Sequence, residues 1–322
     1  MAVRLMQWSE PIVLFGTSAF GKLGHIKVFL RALKYVDQRL QLKNSSRGKA
    51  DSVIVSVGMI GALITLSVAV LSLYNGLSQQ NRVFRSVTYE VYSVLCTLVA
   101  PLFPLLVMEL LLRYRALNRL LVTTICPITE AARCADKGLI KILIAEPQPS
   151  QEQQETTIND LRAAYAALDC AAEALQQQYG LAVALMVASA FFGVIYSSYE
   201  IIVLVVIGDV QSITAALSRS LLVSSLWLVY HGVKLMAVSM CCSATCDEER
   251  RTGVLLHRAA TASALCGTPL PEAEAFLREV RRGPPLSFTA GGFFHIRRSL
   301  IISTLATVIT HIVILTQFGI KY

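Results

Sequence analysis

Long apolar windows separated by polar loops set the pattern of this chain. Val53 to Asn75 carries no charge, Val91 to Leu112 carries only Glu109, Leu181 to Gly208 only Glu200, and Leu221 to Cys242 only Lys234. Ser299 to Phe318 is uncharged as well but holds several threonines. A helix needs about 20 residues to cross a hydrocarbon layer of about 30 Å, so the pattern predicts five clear membrane spans. Pro11 to Phe20 is a doubtful sixth, short and bordered by Glu10; with Arg4 ahead of a broken apolar stretch it makes a poor signal peptide. Pro101 and Pro104 predict a kink in the second window, of the kind membrane helices tolerate when neighbours re-satisfy the freed carbonyls. The predicted fold class is all-α, a polytopic transmembrane helical bundle.

The segments between the windows have patterns of their own. Lys22 to Leu40 reads as a basic amphipathic helix, either lying on a membrane surface or packed as a linker. Glu146 to Thr157 is polar and proline-bearing and predicts a flexible link. Ile158, Leu161, Tyr165, Leu168, Ala172, Leu175 and Tyr179 then recur at three and four. That stripe predicts a helix running straight into the third window and extending beyond the membrane, packed within the subunit or against a neighbour. The expected organisation is therefore 1–52 (short apolar run and basic helix), 53–112 (transmembrane hairpin), 113–180 (cytosolic loop and helix extension), 181–242 (second hairpin), 243–298 (cytosolic loop) and 299–318 (last span). No internal repeat is visible.

Charge orients this arrangement. Loops 21–52, 113–180 and 243–298 hold eight, seven and eight Lys/Arg, whereas 76–90, 209–220 and 319–322 hold two, one and one. Cytosolic loops carry the excess of Lys and Arg, and Arg113, Arg115, Arg297 and Arg298, close to the span ends, point the same way. The reading places the C-terminus outside. Composition agrees with a membrane protein: 54% hydrophobic and 16% charged residues, against about 25% charged in soluble domains, and a mean hydropathy of +0.57. The formal charge of +8 is thus orientation charge, and no nucleic-acid partner is expected. Eight cysteines include no Cys-x-x-Cys pair. Cys242, Cys246 and His257 do not fit the spacing of structural zinc sites, so neither metal nor cofactor is expected.

The last window carries the sharpest signal. Ser303, Thr307, Thr310, Ile314 and Gln317 share one helical face, and four of the five are polar. In a bilayer such a face bonds to a neighbouring helix or meets water. In the second case copies of the helix surround a pore, Ile314 forms an apolar ring able to gate by dewetting, and Gln317 lies just outside it. With no acid or base on the stripe, the pore discriminates poorly among small ions.

The segment Pro285 to Phe318, PLSFTAGGFFHIRRSLIISTLATVITHIVILTQF, resembles the C-terminus of insect gustatory receptors, whose last span ends in the pattern TYhhhhhQF after an FTA-x-GFF-like entry. Thr310, Gln317 and Phe318 match, with His311 where tyrosine is usual and Thr316 at a position usually apolar. Softer matches are RALNRLL at 115–121, QQYGLAVAL at 177–185 and the cysteine-acid-arginine stretch after the fourth window. The resemblance implies a seven-span, ligand-gated, non-selective cation channel of the sensory-neuron cell membrane. Its subunits form homo- or heterotetramers, with the last span lining the pore and cytosolic helix extensions in contact. It also implies that the first family span is absent here and the second degraded.

By the same resemblance a small-molecule tastant binds in the outer half of the bundle. Tyr92, Tyr196, Tyr199, Glu200, Ser224 and Trp227 are the candidates, with Tyr196, Tyr199 and Glu200 sharing a face. A direct Glu200–Lys234 pair is not expected, because the two lie at different depths; Lys234 reads as a structural residue snorkelling inward. His231 reads as a hydrogen-bonded core residue, and His311 as a group at the pore edge. The other readings are a pore-less seven-span signalling receptor and a truncated, nonfunctional paralogue. A transporter lacks support without a repeat. No Ser-His-Asp layout, HExxH or glycine-rich phosphate loop supports an enzyme.

Overall fold

A computed structural model describes residues 23–40, 102–136, 151–206, 215–265 and 271–319. The described residues form α1 (Leu23–Arg39), α2 (Leu102–Asp136), α3 (Gln151–Val206), α4 (Ala215–Leu265), α5 (Pro271–Arg282) and α6 (Ser299–Gly319). The first window, the first half of the second with Pro101, the run Pro11 to Phe20, and Tyr92 lie outside the described residues, while Pro104 stands in the first turn of α2, where a helix tolerates proline.

Two long helices organise the bundle. All seven residues of the Ile158-to-Tyr179 stripe on α3 are buried, and α3 packs against α1, α2, α4 and α5. The stripe thus packs within the subunit. The expected flexible link is shorter than its composition suggested: α3 begins at Gln151, two residues after Pro149. Glutamine and glutamate propagate a helix well.

α4 also outruns its span. Thr245, Glu249, Thr252, Leu256, Ala259 and Ser263 continue the buried face beyond Cys242, so residues 243–265 are helix rather than loop. Residues 271–282 form the further helix α5, which buries Ala273, Phe276 and Leu277. Acids in its first turn (Glu272, Glu274) and bases in its last (Arg281, Arg282) suit the helix dipole. The basic segment α1 is a packed element. Phe29, Leu33, Val36 and Leu40 are buried at helical spacing, chiefly against α3.

The exposed faces of the long helices change chemistry part-way along. On α3 they read Asp169, Glu173 and Gln177, then Leu181, Phe192 and Val205. On α4 they read Leu222, Val229, Val233, Met236 and Met240, then Asp247, Arg250 and Arg251. Apolar side chains left exposed in register on two helices need a non-aqueous surrounding. The switch at Gln177/Leu181 and Met240/Asp247 marks one boundary of that layer. α3 and α4 each contain a stretch long and apolar enough to cross a membrane, and α6 is a shorter apolar helix.

Polar bonds lock the half below this boundary. Arg113 makes a fork to Asp37 of α1 (2.9 and 3.0 Å) and also bonds the Glu109 carboxylate one turn back. Asn118 Nδ2 donates to the Glu248 carbonyl (2.8 Å) while its oxygen accepts from Thr252 (2.8 Å), joining α2 to α4. Tyr165 packs edge-on against Tyr114 and Phe276 and donates to Glu249 (2.8 Å). Burial pushes the Tyr114, Tyr165 and Glu249 pKa values upward.

Candidate ligand pocket and pore helix

The approach to α6 positions that helix. Thr289 and His295 pair across a tight turn, in which Gly291 and Gly292 have φ of 60° and 83°. Side chains rarely tolerate that left-handed backbone, and glycine adopts it freely. The turn is seated on α3, where Gln176 donates to the carbonyl and hydroxyl of Thr289, and Gly291 lies against the backbone of Gly180. The turn therefore sits at the polar-to-apolar boundary, and α6 starts there and runs into the apolar half.

α6 has three distinct faces. Thr304 and Val308 are buried, on the side that meets α3 and α4. Ile302, Leu305, Ile309 and Val313 form an exposed apolar face. Ser303, Thr310, Ile314 and Gln317 are exposed and Thr307 half-buried on a third face, roughly 120° around from the docked one at 100° per residue. Ser303, Thr307 and Thr310 donate to the carbonyls of Ser299, Ser303 and Ala306 (3.0, 2.9 and 2.9 Å). The stripe hydroxyls are thus satisfied by their own helix and glue it to no described neighbour. They still leave oxygen lone pairs and an amide outward, which suits water and is poorly matched to lipid. His311, beside this face, places Nδ1 2.9 Å from the Thr307 carbonyl.

A second polar cluster joins α3 and α4 in the apolar half. Glu200 accepts from Tyr196 of its own helix (3.1 Å) and from Ser224 of α4 (2.7 Å). One turn along α4, Trp227 stacks on His231 with centroids 5.5 Å apart, and Tyr230 meets both edge-on. The His231 ring fits only because residue 193 is glycine: a Cβ there would lie 2.4 Å from it. His231 Nδ1 is buried without a hydrogen-bond partner, so His231 is a core residue, but a stacked one and not the fully bonded one expected. Lys234 does not snorkel to an interface. It is 9% exposed, and its Nζ donates to Ser189 (3.2 Å) and sits 5.9 Å from the Tyr230 ring centre.

The structure thus brings Tyr196, Glu200, Ser224 and Trp227 to one inter-helix seam, with Tyr199 half-buried alongside. Sequence reasoning passed over Gly193 and Ser189. Glycine facing an aromatic across a helix pair, and serine opposite an intramembrane lysine, are visible only once the register of α3 on α4 is known.

An aromatic-lined seam between membrane-length helices and an apolar helix with one outward polar edge suit a polytopic membrane helical bundle. The profile of the 7tm Chemosensory receptor family matches residues 12–322, and the chain belongs to that family. Its fold resembles the insect olfactory receptor OR5 from Machilis hrabei in complex with eugenol, with a TM-score of 0.53, 14% identity, and 92% of this chain and 69% of that chain covered. Another structure of the same receptor gives a TM-score of 0.57 at 10% identity, covering 98% of this chain and 88% of that one. No curated protein sequence matches it significantly.

Proposed function

We propose that the chain is a taste-receptor subunit that assembles as a tetramer and opens a non-selective cation pathway when a small organic tastant binds. It works by gating and does no chemistry on its ligand. The observation that carries the reading is the outward polar edge of α6. Four such edges around an axis give a column of threonine hydroxyls ending in Ile314 and Gln317. An apolar ring of Ile314 dewets when narrow and conducts when widened, and uncharged walls give little selection among cations.

The Tyr196–Glu200–Ser224–Trp227 seam is the proposed tastant site. Aromatic walls with a few directed polar groups suit a small organic molecule, and the receptor from Machilis hrabei was solved with eugenol. The Lys/Arg-rich loops lie in the cytosol under this reading, with Tyr322 outside the cell membrane of a sensory neuron. Homomeric and heteromeric tetramers fit equally well.

The test is current recorded from cells expressing the chain, alone and with related subunits, against a tastant panel. Ligand-evoked cation current whose permeability ratios change in Ile314→Ser and Gln317→Ala, and whose ligand sensitivity shifts in Glu200→Gln, supports the proposal. Current that ignores all three substitutions refutes both site assignments.

A further inference from the structure

A cavity of about 270 Å³ opens beside the foot of α6. That is just below the range of typical ligand pockets, which starts at about 300 Å³, and the cavity has room for a compact head group. Its wall is cationic. Arg250 comes from α4, and His295, Arg297 and Arg298 from the segment that leads into α6. Asp247 is the one acid of the lining, and Arg298 already holds it at 3.0 Å. Arg250 and Arg297 form no ion pair among the described residues. Ser243, 7% exposed, lines the cavity, and its hydroxyl has no hydrogen-bond partner. Ser299, the first residue of α6, closes the wall, so the positive end of that helix adds to the field.

This donor set asks for a multiply charged oxyanion. Guanidinium forks match phosphate oxygens, and a buried hydroxyl without a partner gains a bond to any such oxygen. The depth of the cavity favours one source. Ser243 and Asp247 stand where the exposed face of α4 passes from apolar to charged, which is where lipid head groups lie. Basic pockets beside membrane helices at that level take phosphorylated lipid heads.

We propose that the cavity binds the phosphomonoester head group of an anionic lipid and that occupancy braces α4 against the root of α6, setting how readily that helix moves. The gating half of this inference rests on the channel reading above; the binding half does not. A soluble inositol phosphate shares the chemistry, so the test carries both sources.

Full-length protein purified in detergent is titrated with short-chain phosphatidylinositol bisphosphate, inositol trisphosphate and phosphatidylcholine. The expected result is saturable binding of the first, at least about tenfold tighter than the second, and none of the third. Arg250→Gln/Arg297→Gln weakens it by about tenfold or more. Ser243→Ala, a gentle change, weakens it several-fold. Asp247→Asn, which frees Arg298, strengthens it. Unchanged affinity in Ser243→Ala and the double variant overturns the site, and equal affinity for inositol trisphosphate overturns the lipid source. Detergent removes orientation from the question: a chain that conducts without binding refutes this inference alone, and one that binds without conducting refutes the channel reading alone. In excised patches, stripping phosphoinositides from the cytosolic face is expected to change the tastant dose response of wild type but not of the double variant. No change in wild type overturns the link to α6.

Discussion

Replacing Arg113 by methionine tests how α1 is attached. The guanidinium ties α1 to α2: it forks onto both Asp37 oxygens and takes the Glu109 carboxylate on its other edge. The Arg113 side chain is 9% exposed and that of Asp37 18%. Methionine keeps much of the aliphatic stem and takes the guanidinium away from two carboxylates. Removing one member of a buried pair costs about 3–5 kcal/mol; with Asp37 and Glu109 partly wet, about 2–3 kcal/mol is expected here. At about 2–4 °C per kcal/mol for a protein of 150–250 residues, the apparent Tm falls by roughly 4–12 °C. The assay is the melting of detergent-purified protein followed by fluorescence size-exclusion chromatography, with Asp37→Asn and the double variant closing a cycle. A coupling near 1.5 kcal/mol is expected for residues that share such a bond. If Arg113→Met melts within about 1 °C of wild type and the cycle closes to zero, α1 is not held by this fork.

Three further outcomes follow from packing and titration. Gly193→Ala drives a methyl into the His231 ring and should cost about 1–3 kcal/mol, with loss of tastant response at unchanged surface expression. Gly291→Val forces a branched side chain into left-handed backbone at the turn before α6. A loss of order 1–3 kcal/mol is expected, read as a lower Tm and less mature protein at the cell surface. Glu249, whose carboxyl burial raises its pKa, binds more protons folded than unfolded, so stability is fully present below the ordinary carboxylate range and declines as pH rises through the folded value. Glu249→Gln still accepts from Tyr165 and should flatten that acid-side slope, which Tm measured from pH 4 upward would reveal.

Periodicity is strongest where burial is one-sided, and there the chain was readable. The α3 stripe from Ile158 to Tyr179 and the basic helix α1 each place apolar residues at three and four against a polar background. The continuation of α4 was hidden. Asp247, Glu248, Arg250 and Arg251 look like a solvated loop until Arg115 and Asn118 are seen to engage Glu248 from α2. α5 was overlooked because a charged 12-residue helix shows only Ala273, Phe276 and Leu277 as its inward set. In the seam, the Tyr196–Glu200 contact followed from helical spacing alone. Depth alone put Ser224 in the same outer layer as Glu200, but the bond between them depends on the register of α4 on α3, which the pattern does not give. Gly193 beneath His231 did not, since a missing side chain leaves no periodic trace.

The most direct test of the central claim is state-dependent modification of single cysteines along α6 by a charged, membrane-impermeant thiol reagent, on a background that leaves the native cysteines unreactive. Thr307→Cys, Thr310→Cys and Gln317→Cys are expected to react from the aqueous side and block cation current, faster with tastant present for the positions inward of Ile314. Ile302→Cys, Leu305→Cys and Ile309→Cys should stay unmodified. Rapid block from the Ile302 face, with Thr310→Cys and Gln317→Cys inert in every state, would mean that water runs elsewhere in the assembly.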